Sequence, residues 1–398
     1  MTFVWRHSLP ELAASGQPEP TRHDWVDAAK GLGILLMFYG HFLQKGAVTT
    51  NGAINDQLRI IYSFHMPLFF VLSGFFFRPP IDTGRRVRQL AARRLIPVAF
   101  FGLLLAPMWT WYEVKQKLPL WRDTALVGAD YLRGYPALDW VTWFLVCLFV
   151  AEVLAVVSLR YVRNPFARLA LGLFSIWGGV IFSAHSAAAT DGIRYLIGRT
   201  WFLSESVVAL GFYAIGAATY PALRRLTGRP ALAVAIFVVA TAAVLSTYRL
   251  NHPNAVAVMM AARQHGDAFA FAFTALAGTA AIIALGTLVA PLRWLCRIGR
   301  NALPLLGLNG VFFHYVDPKL AHWLRLPDSS VMVTIEATLV TALSLLACAP
   351  VVQLLNRHVP QFIGRSYERG PWFPALEGPQ PNAPSARGAD LSGSRTAS

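Results

Sequence analysis

Ten apolar segments recur along the chain, near residues 28–45, 58–78, 95–113, 140–159, 166–184, 203–221, 231–248, 268–290, 301–318 and 331–356. A helix needs about 20 apolar residues to cross a hydrocarbon core roughly 30 Å thick. Inside lipid, only helices and closed barrels satisfy every backbone polar group. The segments therefore predict an all-α, polytopic membrane protein with about ten transmembrane helices in one bundle. Composition agrees, since only 14% of residues are charged, where soluble domains carry roughly 25%. An ordinary soluble enzyme is excluded, and so is a disordered chain, which needs low hydrophobicity.

The net charge is +15. In a soluble protein that would suggest nucleic-acid binding, but membrane proteins concentrate Lys and Arg in their cytoplasmic loops. Arg78, Arg85, Arg86, Arg88, Arg93 and Arg94 crowd the connection after the second span, with Asp82 the one acid there. Later connections on the same side carry Arg160, Arg163 and Arg168, then Arg224, Arg225 and Arg229, then Arg293, Arg297 and Arg300. This pattern predicts an even number of spans in the inner membrane with both termini cytoplasmic, and no nucleic-acid partner.

Three regions are expected. Residues 1–25 form a polar cytoplasmic tail without the apolar core of a cleavable signal peptide, and residues 26–360 form the membrane domain. Residues 361–398 form a cytoplasmic disordered tail, rich in Pro, Ser, Gly and Ala from about Pro371. Cys147, Cys296 and Cys348 lie in or beside apolar runs without a CxxC pair. They read as small core residues, and no disulfide framework or metal site is expected. Trp109, Trp111, Trp140 and Trp143 flank span ends and read as an interfacial aromatic belt.

Ionisable groups at membrane depth are expensive, so each is a candidate for function. In the first span Lys30 and His41 are separated by three helical turns, about 16 Å, and point to one face. Asp27 lies three residues before Lys30 and is placed to pair with it. Such a stripe has no use against lipid and is expected to face the bundle interior. Each residue also has a plainer reading: His41 bonding a carbonyl at a helix end, Lys30 reaching to the interface, Asp27 merely pairing with Lys30. In the second span His65 sits two residues before Pro67, where a proline leaves a backbone carbonyl unpaired. Capping a carbonyl there is its plainer reading. The arginines at 85–94 serve either as a topology signal or, by forked hydrogen bonds, as a site for a phosphorylated ligand. Glu152, Glu205, His314 and Glu336 are further buried candidates without a visible partner. No Walker loop, GxSxG elbow, HExxH or dinucleotide fingerprint is present in the sequence.

The run from Trp25 to Gly31, then Tyr39-Gly40-His41, then Phe64 to Gly74 resembles the bacterial membrane acyltransferase family 3, with the fucose 4-O-acetylase-like proteins as the nearest branch. Arg93-Arg94-Leu95-Ile96-Pro97 resembles the family's basic lead-in to the third span. Trp143-Phe144-Leu145 is similar to its fourth-span motif, and Ile298 to Ala302 followed by His314 to its late spans. The resemblance implies a ten-helix core that moves an acyl group, most often acetyl, from acyl-coenzyme A to a carbohydrate hydroxyl of an extracytoplasmic glycan. It implies a basic residue, ten intervening positions and a His, matched by Lys30 and His41, although many members carry Arg at the first of these. The family's arginine pair with two residues between maps onto Arg85 and Arg88, or shifts toward Arg93 and Arg94.

Together these readings place the acyl-CoA phosphates on Arg85, Arg88, Arg93 and Arg94 and make His41 the general base. Lys30 and Asp27 then hold the donor or the helix geometry, and His65 assists at the carbonyl or in proton transfer. No metal takes part. The competing reading is a transporter or exporter of a glycan or lipid-linked sugar, because ten spans with helix-breaking Gly and Pro and buried charge suit transport as well.

Overall fold

The computed structural model describes residues 23–46, 52–115, 120–188, 200–251, 257–324 and 329–377. Most of the two expected tails lies outside them. Thirteen α-helices occur among the described residues. They are α1 (Asp24–Gly46), α2 (Gly52–Gly74), α3 (Thr83–Lys115), α4 (Leu120–Leu132), α5 (Trp143–Ser158), α6 (Pro165–Ala188) and α7 (Leu203–Leu223). Then follow α8 (Pro230–Thr247), α9 (Ala268–Leu288), α10 (Arg293–Arg300), α11 (Ala302–Val311), α12 (Asp317–Leu324) and α13 (Ser330–His358). No strand is found among them, only an isolated antiparallel bridge between Met259 and Gln264. The protein is an all-α polytopic membrane protein.

By length and composition alone, eight helices among the described residues are long and apolar enough to cross a membrane, against about ten expected segments. Each of the two missing has a physical reason. Helix α2 is 23 residues long, but its first turns carry Asn55, Asp56, Gln57 and Arg59. The segment expected at 301–318 is helical throughout but interrupted: a π-helical turn at Phe312–Val316 separates α11 from α12.

Helices α1 and α2 occupy the middle of the bundle. Helix α1 packs on α2, α9, α10, α12 and α13, while α2 packs on α1, α7 and α9. The span that includes α5 has 67% of its apolar window buried, against 17% for α8, so α5 is an inner wall and α8 faces lipid. Two backbone crossings hold the centre together. A methyl group on Gly299 would stand 1.8 Å from the Asp27 carbonyl oxygen, and one on Gly31 would stand 2.4 Å from that of Leu295. Likewise, methyls on Gly74 and Gly216 would come within 2.0 and 2.1 Å of the Tyr213 and Val71 carbonyl oxygens. In lipid, where apolar faces gain little by meeting, such close approach through small residues drives association.

The arginine-rich stretch is not a connection. Helix α3 begins at Thr83, so Arg85 to Arg94 occupy its first three turns. Residues 361–377, expected within a disordered tail, fold onto the bundle. Pro360–Ile363 forms a 3-10 turn against α3 and α13. The reason is aromatic: Phe362 stacks on Phe100 with ring centres 5.8 Å apart and meets Phe373 at 5.2 Å, while Trp372 lies 4.8 Å from the ring of His358. The described ends share the arginine-rich end of the bundle, Asp24 pairing with Arg300 and Glu377 with Arg93.

Candidate functional site

Two cavities are stacked along α1. The larger, about 410 Å³, lies at the arginine-rich end and is lined by Lys30, Arg86, Arg93, Arg94 and Arg300, with Glu152 the one acidic wall residue. The start of α3 at Thr83 decides which arginines reach it. Arg86 and Arg93 are two turns apart on one stripe, with Arg94 beside them. Arg85 and Arg88 fall on another face and are exposed, outside the cavity. The arrangement therefore brings Arg93 and Arg94 together with Lys30, leaves out Arg85 and Arg88, and adds Arg86, Arg300 and Arg365.

Acids hold several of these cations in place. Arg94 donates from Nε and Nη2 to the two carboxylate oxygens of buried Glu152 at 2.9 and 2.8 Å. Arg93 makes the same forked contact with Glu377 at 3.1 and 2.9 Å. Asp27 does not pair with Lys30. It accepts from Arg300 Nε at 3.0 Å, while Asp24 accepts from Arg300 Nη2 at 2.9 Å. The physical reason is the Gly299–Asp27 backbone contact, which brings the end of α10 against the first turn of α1. Arg300 stays firmly charged, its pKa raised chiefly by the bond to Asp27. The Lys30 and Arg86 side chains make no hydrogen bond or ion pair among the described residues; of Arg86 only the backbone N–H donates, to the Asp82 carbonyl at 3.1 Å. The Lys30 ammonium lies 5.5 Å from the centre of the Phe76 ring. Two cations without acidic partners, facing a cavity beside forked guanidinium groups, make a chamber able to receive an anion.

The second cavity, about 60 Å³, is lined by His41, His65, Tyr62, Gln44, Trp140 and Trp143, with Met66, Val141, residues 258–261 and Phe313 completing the wall. His41 therefore faces the bundle interior, in one cavity with His65. His41 Nδ1 bonds to Asn309 Oδ1, which fixes the ring proton on Nδ1 and leaves Nε2 as an acceptor. The His41 ring also lies 5.0 Å from the Phe313 ring in the π-helical turn. Such turns are frequent at functional sites. His65 Nδ1 donates to the carbonyl of Ile61 at 3.1 Å, and its ring lies 4.6 Å from that of Tyr62. The carbonyl is Ile61's own, one turn back, and not the one Pro67 leaves unpaired. Met66, in the middle of α2, lines both cavities.

Asn309 and the turn at Phe312–Val316 were missed by residue reasoning on the sequence. An amide inside Leu306-Gly307-Leu308-Asn309-Gly310 was the available signal, since a polar group in an apolar run must find a partner. Trp140 and Trp143 do not form a belt, because both line the second cavity. Of the four lone candidates, Glu152 holds Arg94. Glu205 accepts from Arg263 at 3.0 Å and Ser204 at 2.8 Å. His314 Nε2 and Glu336 Oε2 have no partner among the described residues. Asp139, just before the fourth span, is wholly buried with both carboxylate oxygens unpartnered and pressed against Gly310. Burial pushes its carboxyl well above the usual carboxylate range.

The geometry can bind a phosphorylated group at one end and take a proton at the other. The "Nodulation protein NolL" of Sinorhizobium fredii is 36% identical over 84 residues, 20% of this chain and 23% of that protein. The chain thus spans about a quarter of the length of the curated relative it matches. No solved structure matches. The sequence profile of the acyltransferase domain, type 3, matches residues 23–353, and so the chain that stacks a guanidinium-lined chamber below an interior histidine belongs to the acyltransferase 3 family.

Proposed function

We propose that the protein transfers an acyl group, acetyl by preference, from acyl-coenzyme A to a carbohydrate hydroxyl of an extracytoplasmic glycan. One observation carries the reading: the basic chamber and the histidine chamber lie along one face of α1 and share Met66 as a common wall. The positive-inside rule puts the arginine-rich end in the cytoplasm, where acyl-CoA is found, of the inner membrane. Lys30, Arg86 and Arg93 then bind phosphate, with Arg94 fixed by Glu152 beside them. The thioester arm lies along α1 and α2 past Met66, whose unbranched side chain yields readily.

In the second chamber His41 Nε2 accepts the proton of the attacking hydroxyl while its oxygen forms a bond to the thioester carbonyl carbon. The C–S bond then breaks, and the proton on His41 passes to the leaving thiolate, directly or by way of His65. Asn309 keeps the imidazole in the one tautomer that leaves Nε2 free. Trp140 and Trp143 supply the apolar faces on which a sugar ring stacks.

Radiolabelled acetyl-CoA supplied to one side of proteoliposomes, with a glycan on the other, tests the reading. Label appearing on the glycan as an ester supports it. Passage of unmodified glycan without label would establish transport instead, the alternative that the family match disfavours.

Glu377 carries a separate prediction. Its carboxylate occupies the Arg93 fork, so it competes with donor phosphate. The variant Glu377→Gln is expected to lower KM for acetyl-CoA several-fold with kcat unchanged, read by initial rates. A raised KM would instead assign the pair to holding residues 360–377 against α3.

A further inference from the structure

A cavity of about 1170 Å³ is not part of the site described above. It is a groove between α1, α2, α10 and α13. Along α13 its lining runs from Thr334 to Asn356, about 33 Å of helix, which matches a hydrocarbon core of roughly 30 Å. The two halves differ. Away from the arginine-rich end, hydroxyls line the wall at Thr334, Thr338 and Thr341, and a network of Tyr39, Gln57 and Thr334 closes it. Toward the arginine-rich end the wall is hydrocarbon, from Leu345 through Ala349 to Val352. This half ends in a polar group of Arg297, Asn301, Gln353 and Asn356.

That polar end has two unmet demands. Arg297 is exposed at the rim and makes no ion pair among the described residues. Asn356 donates from Nδ2 to Asn301 Oδ1 at 2.8 Å, but its own Oδ1 is buried without a donor. A buried acceptor lacking a partner calls for one. The ligand must therefore offer an anion to Arg297, a hydroxyl or similar donor to Asn356, and a hydrocarbon chain for the half-groove. From Asn356 to Leu345 is eleven residues, about 16 Å of helix, the reach of one acyl chain within one leaflet.

We propose that this half-groove is a binding site for phosphatidylglycerol of the leaflet at the arginine-rich end, its phosphate on Arg297, its headgroup hydroxyl on Asn356 and one acyl chain along Leu345 and Ala349. The site is separate from the two chambers, and its occupancy is read without any acyl transfer, so the proposed function and this inference stand or fall apart.

The test uses the full chain, delipidated in detergent and titrated with phosphatidylglycerol, with bound lipid counted by native mass spectrometry. One tightly held phosphatidylglycerol per chain is expected, with phosphatidylcholine, which lacks the donor hydroxyl, held more weakly. Arg297→Ala is expected to weaken binding about tenfold, the scale of a charge-assisted contact. Ala349→Phe, which fills the chain half, is expected to abolish it. Arg293→Ala removes an equally exposed arginine of the same helix that does not line the groove, and should change nothing. Equal losses for Arg293→Ala and Arg297→Ala, equal binding of phosphatidylcholine, or lipid retained by a folded Ala349→Phe variant would each overturn the assignment. Both arginines are exposed, so their variants report even where the core substitution fails to fold.

Discussion

Glutamine in place of His41 is expected to lower the acyl-transfer rate about 10²–10⁴-fold, the usual contribution of a positioned general base, while the protein folds and melts as before. Glutamine is the informative substitution because its amide can still donate to Asn309 Oδ1. Alanine would strand Asn309, which is fully buried and already has one unpartnered atom. A buried polar group left unsatisfied costs about 1–3 kcal/mol, so His41→Ala mixes a stability loss with the chemical one. Asn309→Ala completes the series. It leaves the imidazole present but free to turn or change tautomer, and a fall of about tenfold or more in kcat is expected from misplacement alone. The measurement is initial rate of label transfer in proteoliposomes beside a thermal melt of each variant. A His41→Gln protein working near the wild-type rate would remove the imidazole from the reaction.

Glu152→Ala is expected to destabilise the fold by about 3 kcal/mol, the lower end of what breaking a buried ion pair costs. The lower end applies because the guanidinium of Arg94 is partly open to the chamber, at 24% side-chain exposure against 5% for Glu152. Two forked bonds at 2.8 and 2.9 Å are lost at once, and an arginine remains among Phe144, Leu145 and Leu148 with no counter-ion. Replacing both partners by apolar residues, as in Arg94→Met with Glu152→Leu, should restore most of the stability while KM for acetyl-CoA changes little, because both Arg94 donors are already held by Glu152. A thermal melt in detergent and a KM for acetyl-CoA separate the two effects. Equal stability of the single and double variants would show that the pair contributes no coupling.

Much of the site was legible because the first two spans hold it in continuous sequence. A Lys and a His three turns apart on an apolar helix declare a polar face, and α1 does turn that face to the interior. What the sequence concealed is contact between distant segments. The partner of Asp27 is Arg300, chosen by a glycine crossing that no local pattern announces. The partner of Arg94 lies on α5, 58 residues on. The sorting of arginines depended on where α3 starts, since moving a helix start from 95 to Thr83 converts a loop of charges into a face. Trp140 and Trp143 looked interfacial because a tryptophan at a span end reads alike whether it meets headgroups or a cavity. The fold class was legible from apolar length alone. The number of spans is less plain, because a polar first turn and a π-helical interruption leave two of the ten apolar segments short of uninterrupted hydrophobicity.

The shared wall at Met66 bears on the host cell's energetics. A protein with a polar chamber near each surface of a bilayer risks becoming a leak for protons and ions, and every elementary charge that slips through dissipates about 2.3 kcal/mol per 100 mV of membrane potential. The residue both chambers share is a methionine, whose thioether offers no oxygen or nitrogen along which a hydrated ion or a proton can step.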